Sequence, residues 1–125
     1  KKGNLFPDII SQIKKNEIKV QHLNSKRDFL FIDDFVELLE TILKINDFSS
    51  SIFNVGSGKS TSILEILEII KNHSNKEIIF KETNPSYNEI IPDCYADISD
   101  LIKLYNWQPK TSITDGINKI INSNE

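Results

Sequence analysis

The 125-residue sequence has no methionine, one cysteine, one tryptophan and one arginine. Each shortage excludes something. The single cysteine, Cys94, cannot close an internal disulfide, which makes a reducing cytoplasm the default setting. A solitary cysteine more often serves as a small buried apolar residue than as a nucleophile. The two histidines, His22 and His73, stand far apart with no cysteine near either, and that is not metal-ligand spacing. No apolar run approaches the roughly 20 residues that span a bilayer, and no stretch reads as a signal peptide. Basic charge is also in short supply. The net charge of −3 argues against a dedicated nucleic-acid binder, which carries a basic face. With no methionine and a start at Lys1-Lys2-Gly3, the chain is expected to be a piece of a longer protein.

What remains is globular in character. Hydrophobic residues make up 38% and charged residues 26%, enough for one domain with a modest core. Ile9, Ile10 and Ile13 recur at helical spacing after Pro7, which predicts a helix over 5–15. Strands are expected over 19–23 (KVQHL), 28–32 (DFLFI), 52–55 (IFNV) and 77–81 (EIIFK). Asp33 and Asp34 open a predicted helix through about Lys44, with Phe35, Leu38, Leu39, Ile42 and Leu43 on one stripe. Residues 62–72 form the next helix, with Ser62 and Glu65 as a capping box. Residues 83–93, with Pro85 and Pro92, read as an irregular segment. Asp97 is expected to cap a short helix with Ile98, Leu101 and Leu104 inward, and Asn106 to end it in the left-handed conformation. Ser112 caps a last helix carrying Ile113, Ile117, Ile120 and Ile121. Strands alternating with helices predict an α/β fold, with fewer strands than a complete doubly wound domain.

One stretch raises a sharper question. GSGKST, residues 56–61, resembles the loop that cradles nucleotide phosphates, G-x-x-x-x-G-K-[ST]. Gly58, Lys59 and Ser60 supply the end of that pattern, but Phe53 stands where its first glycine belongs. A strand, a glycine turn and a helix start is the alternative. In it Gly56 and Gly58 take conformations closed to residues with a Cβ.

Three segments together resemble one family. RDFLFIDDFVELL (27–39) is similar to its R-D-[FY]-x-[YF]-[VI]-D-D stretch, and FNVGSGKSTSILEIL (53–67) to its [FY]-N-[VIL]-G-[STG]-G strand and helix. ADISDLIKLYNWQPKTSITDGINKII (96–121) is similar to its ending, in which G-W-x-P precedes [DE]-G-[IL]. The family is the NAD-dependent epimerase/dehydratase group of extended short-chain dehydrogenases, to which UDP-glucose 4-epimerases belong. The resemblance implies that residues 1–125 are the C-terminal, sugar-nucleotide-binding portion of a longer enzyme. That portion would hold helices with a few short strands and lack the main dinucleotide-binding Rossmann half. It also implies that Lys59 and Ser60 bind no ATP. The family's NAD site and its catalytic Tyr-x-x-x-Lys lie elsewhere in the full protein. Tyr87, Tyr95 and Tyr105 are followed at the fourth position by Ile91, Ser99 and Pro109, not by lysine.

The resemblance further implies a nucleotide-diphosphate sugar as ligand and names residues to hold it. Arg27 matches the arginine that contacts the diphosphate, where a planar guanidinium suits two phosphate oxygens. A surface arginine paired with Asp28 or Asp33 is its other reading. Asn54 matches an asparagine used near the phosphates, although such an asparagine can simply bond local backbone. Phe29 falls where an aromatic can neighbour the base, although an ordinary core residue is the commoner reading of such a position. The family's second phosphate-binding arginine is missing, and Tyr87 or Asn88 occupies its place. The family's G-D-G turn is replaced by HLNSK (22–26), and its G-W by Asn106-Trp107. A catalytically incomplete fragment of an NAD-dependent epimerase or dehydratase is therefore expected, with a non-catalytic binding module as the alternative. A cytoplasmic homo-oligomer joined through exposed apolar faces is expected, without nucleic-acid or membrane partners.

Overall fold

The computed structural model describes residues 4–45, 52–74, 77–85 and 90–123. In chain order these form α1 (Leu5–Ile13), β1 (Glu17–Val20), β2 (Lys26–Asp28), α2 (Ile32–Ile45), β3 (Ser60–Ser62), α3 (Ile63–Ser74), β4 (Ile79–Glu82), β5 (Asp93–Cys94), α4 (Ser99–Tyr105) and α5 (Ile113–Asn122). The strands make two small sheets. β1 pairs in parallel with β4, Glu17 opposite Ile79 through Val20 opposite Glu82. β2 lies between β3 and β5, antiparallel to the first and parallel to the second.

Local chemistry sets most helix ends. Ser62 and Glu65 form the expected capping box at the start of α3. The Ser62 N–H donates to Glu65 Oε2 at 2.7 Å, and the Glu65 N–H to Ser62 Oγ at 3.1 Å. Ser112 Oγ accepts the Asp115 N–H at the start of α5. Asn106 ends α4 with φ of +49°, as its short polar side chain permits. Before α4, Asp97 Oδ1 accepts the Ser99 N–H at 3.0 Å, although the cap position itself falls on Ile98.

These elements enclose two apolar clusters. The larger joins Ile9 of α1, Ile18 of β1, Ile66, Leu67 and Ile70 of α3, and Ile117 and Ile121 of α5. The smaller gathers Leu30, Ile42, Phe53 and Ile98 around buried Leu38, Leu101 and Trp107.

Several expectations need correction. The strand expected over 28–32 is instead Lys26–Asp28, and Phe29, Leu30 and Phe31 leave the ladder half-buried. Phe29 packs toward the larger cluster and Leu30 toward the smaller; these apolar residues bridge two cores and line no sheet face. The strand expected over 52–55 joins no ladder among the described residues, and Ile52 is fully exposed. The ladder there is made by the polar Ser60–Ser62. β1 starts at Glu17, two residues before the expected 19–23, and ends at Val20; the Leu23 N–H turns aside to the Glu82 carboxylate at 3.0 Å. On α2 only Leu38 of the expected stripe is buried, while Leu39 and Leu43 face outward at 44% and 63% exposure. Leu104 of α4 is likewise exposed.

Asp34 explains how α2 is tied to the chain's end. Its buried carboxylate accepts the Lys110 N–H at 3.2 Å and the Thr111 N–H at 3.1 Å. Neighbouring Asp33 is exposed and only approaches Lys119, at 4.0 Å. Asp34→Ala strands two backbone donors, and each such loss costs about 1–3 kcal/mol. Urea denaturation should therefore show a loss on the order of 2 kcal/mol or more for Asp34→Ala. Asp33→Ala should stay within about 0.5 kcal/mol of wild type. Equal effects would show that the buried carboxylate is not the tie.

Candidate functional site

The sharp turn at 56–58 is where chemistry was first suspected, and its occupant is a carboxylate from the protein itself. Asp28 Oδ1 accepts the Ser57 N–H at 2.6 Å and the Ser57 hydroxyl at 2.6 Å. Asp28 Oδ2 accepts the Gly58 N–H at 3.0 Å and the Ala96 N–H at 3.1 Å. The amides that could cradle a phosphate are thus already engaged by an anion. Gly58 earns its place by a φ of +74°, and Gly56 by proximity. A Cβ on Gly56 would collide with the Asp28 carboxylate and come within 2.7 Å of the Ala96 Cβ. Burial alone would raise the Asp28 pKa. The hydrogen bonds from Ser57, Ala96 and Gly58 outweigh that and hold it below its ordinary value of 3.8.

Arg27 sits on the other side of β2, because successive strand residues face opposite ways. It is half-buried, and its Nη1 donates to the carbonyls of Lys26 at 2.6 Å and Ile91 at 2.9 Å. The carboxylates considered as its partners are engaged elsewhere, Asp28 with the turn and Asp33 near Lys119. Arg27 and Phe29, two residues apart, line one cleft of about 800 Å³. Asp8 and Gln12 of α1, and Lys19 and His22 around β1, line the same cleft. Phe29 is fixed there by an edge-to-face contact with Phe6, ring centroids 5.5 Å apart.

The other candidates do not join them. Asn54 is exposed and lies outside the lining of that cleft. Tyr87, with Asn88, lies outside the described residues. Cys94 is exposed on β5, contrary to the expectation of a buried cysteine. Among the described residues, no group of His, Cys, Asp and Glu is placed to hold a metal ion. Among them, too, no helix is long and apolar enough to cross a membrane.

This arrangement can be compared with known proteins. The family model described as the NAD dependent epimerase/dehydratase family matches residues 1–56. CDP-abequose synthase of Salmonella muenchen is 35% identical over all of this chain and 43% of its own length. UDP-glucuronate 4-epimerase of Thermodesulfobacterium geofontis is 34% identical over 77% of this chain and 29% of its own. The chain belongs to the NAD-dependent epimerase/dehydratase family. Its fold agrees with that membership. The structure of UDP-glucuronic acid 4-epimerase from Bacillus cereus, in complex with UDP-glucuronic acid and NAD, superposes with a TM-score of 0.82 at 23% identity. That match covers 98% of this chain and 40% of the other. The chain thus spans less than half the length of these relatives.

Within the family frame, what sequence reasoning missed is Asp28. The signal was present, because Asp28, the G-S-G turn and Ala96 each belong to one of the three matched segments. A carboxylate joining them satisfies that turn from within. The pH consequence can be signed. A folded value below the unfolded one gives stability that is present above 3.8 and is lost as pH falls through the lower folded value. Asp28→Asn removes this contribution. The stability gap between wild type and Asp28→Asn should be full at neutral pH and narrow as pH drops below 3.8. Urea midpoints across that range would show it, and a gap independent of pH would contradict it.

Proposed function

We propose that this chain is the C-terminal, nucleotide-sugar-binding portion of a longer NAD-dependent sugar-nucleotide epimerase or dehydratase. The observation that carries the proposal is the cleft where Arg27, the lone arginine, meets Phe29. A diphosphate brings two negative charges, and an acidic protein must meet them with local positive charge. The Arg27 guanidinium offers a planar fork for two phosphate oxygens, and Phe29 offers an aromatic edge beside the base. Asn54 and Tyr87 keep their proposed roles through the family resemblance alone.

The residues present do not fit NAD. Among the described residues, the glycine-rich turn at 56–58 has its amides engaged by Asp28. When bound, NAD supplies reversible removal of hydride from the sugar ring; its site is assigned to residues outside this chain. What this chain does is hold the diphosphate while chemistry proceeds at the sugar.

The outward face of α2 supports a longer parent. Ile32, Val36, Leu39 and Leu43 are 44–63% exposed at helical spacing, and Ile52 is fully exposed nearby in sequence. Such a patch tends to mark a contact surface. Expressed alone, the chain should self-associate through it, and light scattering showing a monomer at high concentration would argue against this. A non-catalytic binding module is the second reading, favoured by the missing second arginine. A dinucleotide-binding G-x-x-G-x-x-G and a Y-x-x-x-K upstream in the same gene would decide for the enzyme.

Arg27 provides the direct test. A hydrogen bond to a charged group contributes about 1.5–3 kcal/mol. In the full-length protein that carries these residues, Arg27→Ala should weaken UDP binding about 10- to 150-fold and leave NAD binding intact. Arg27→Lys should recover only part of the loss, since an ammonium cannot form the fork. Unchanged affinity of Arg27→Ala for UDP, dTDP and GDP sugars would overturn the assignment.

A further inference from the structure

Arg27 is held from both flanks. Across the ladder it pairs with Thr61 of β3 and Cys94 of β5. Its guanidinium donates to the carbonyl of Ile91, two residues before β5 begins. The Lys26 N–H beside it donates to the Pro92 carbonyl at 2.9 Å. The orientation of the Arg27 side chain therefore depends on where the segment 91–96 lies against β2.

That segment is short, and β5 itself is only Asp93–Cys94. Two residues of ladder cannot fix a strand firmly, because few backbone bonds oppose its fraying. The far end of the segment is fixed by the Ala96 N–H donating to Asp28 Oδ2 at 3.1 Å. The turn that leads into β3 is fixed by the same carboxylate through Ser57 and Gly58. One side chain, adjacent to Arg27 and on the opposite face of the strand, thus tethers both neighbours of Arg27.

We propose that Asp28 is a positioning residue for the diphosphate contact: its carboxylate clamps the 56–58 turn and Ala96 onto β2, and this clamp sets where the Arg27 guanidinium points. The inference rests on the proposed function, with Arg27 as the phosphate contact. The chemistry requires a carboxylate. Each Asp28 oxygen accepts two donors, so both oxygens must be acceptors. An asparagine keeps one oxygen; in one orientation its amide nitrogen confronts the Gly58 and Ala96 N–H groups, and in the other the Ser57 N–H. A glutamate is a methylene longer, and the Asp28 carboxylate already sits against Gly56 with no room for a Cβ there.

The test is a double-mutant cycle in the full-length protein that carries these residues. UDP affinity is measured by calorimetry for wild type, Asp28→Asn, Arg27→Ala and the double variant, with circular dichroism melts confirming that each is folded. Asp28→Asn should weaken UDP binding about tenfold, and should have no further effect once Arg27 is alanine. Equal losses in both backgrounds, or no loss in either, would overturn the positioning role and leave Arg27 as the phosphate contact. Equal UDP affinity of wild type and Arg27→Ala is a different result and would overturn the proposed function itself. If Asp28→Asn fails to fold, Ser57→Ala takes its place. It removes the 2.6 Å hydroxyl bond to Oδ1, together with that hydroxyl's bonds to the Lys59 carbonyl and N–H, and keeps the Ser57 N–H bond to Oδ1; it should give a smaller loss of UDP affinity with the same dependence on Arg27. A Ser57→Ala loss that is indifferent to Arg27, or no loss, overturns the proposal.

Discussion

A single carboxylate organises the part of this chain that carries the candidate site. Asp28 gathers the hydrogen-bond donors of Ser57, Gly58 and Ala96, bringing together residues about 30 and 70 positions apart along the chain. Charge-assisted bonds of this kind are roughly twice as strong as neutral ones, and the group stays ionised because its donors outweigh the burial that opposes it. The glycines follow from it: Gly56 leaves space for the carboxylate, and Gly58 turns its N–H inward. The turn resembles a phosphate loop because both solve one physical problem, the gathering of backbone N–H groups around an anion. Here the anion is built in.

A second carboxylate does the same further along. Asp34 ties the start of α2 to the Lys110 and Thr111 amides that precede α5. Between them, Asp28 and Asp34 bind the first matched segment to the other two. The family resemblance that runs through all three segments is therefore largely a record of structural ties. The residues expected to touch ligand, Arg27 and Phe29, stand on the same segment but face the cleft.

Sequence alone revealed the parts governed by short-range chemistry. The Ser62–Glu65 box, the Ser112 cap and left-handed Asn106 were all legible, because each is decided by residues within four positions. The strands were less so. Apolar runs at 28–32 and 52–55 read as strands, whereas the ladders formed at Lys26–Asp28 and Ser60–Ser62. Strand propensity reflects fit to a half-buried surface more than backbone preference. Phe29 and Leu30 found that fit by packing into two separate clusters, while Ile52 found no partner among the described residues. Of the site, Arg27 and Phe29 were found at one cleft because they lie two residues apart on an extended segment. The Asp28 clamp was not, since long-range hydrogen bonds leave no periodic trace in a sequence.

The account stands or falls on where a nucleotide diphosphate sits. A crystal structure of the full-length protein with bound UDP would show this most directly. The account predicts the diphosphate in the cleft between α1 and β2, with Arg27 guanidinium nitrogens about 2.7–2.9 Å from its oxygens and the Asp28 clamp on Ser57, Gly58 and Ala96 unbroken. A diphosphate bound at the 56–58 turn with Asp28 displaced, or one bound away from Arg27, would contradict it.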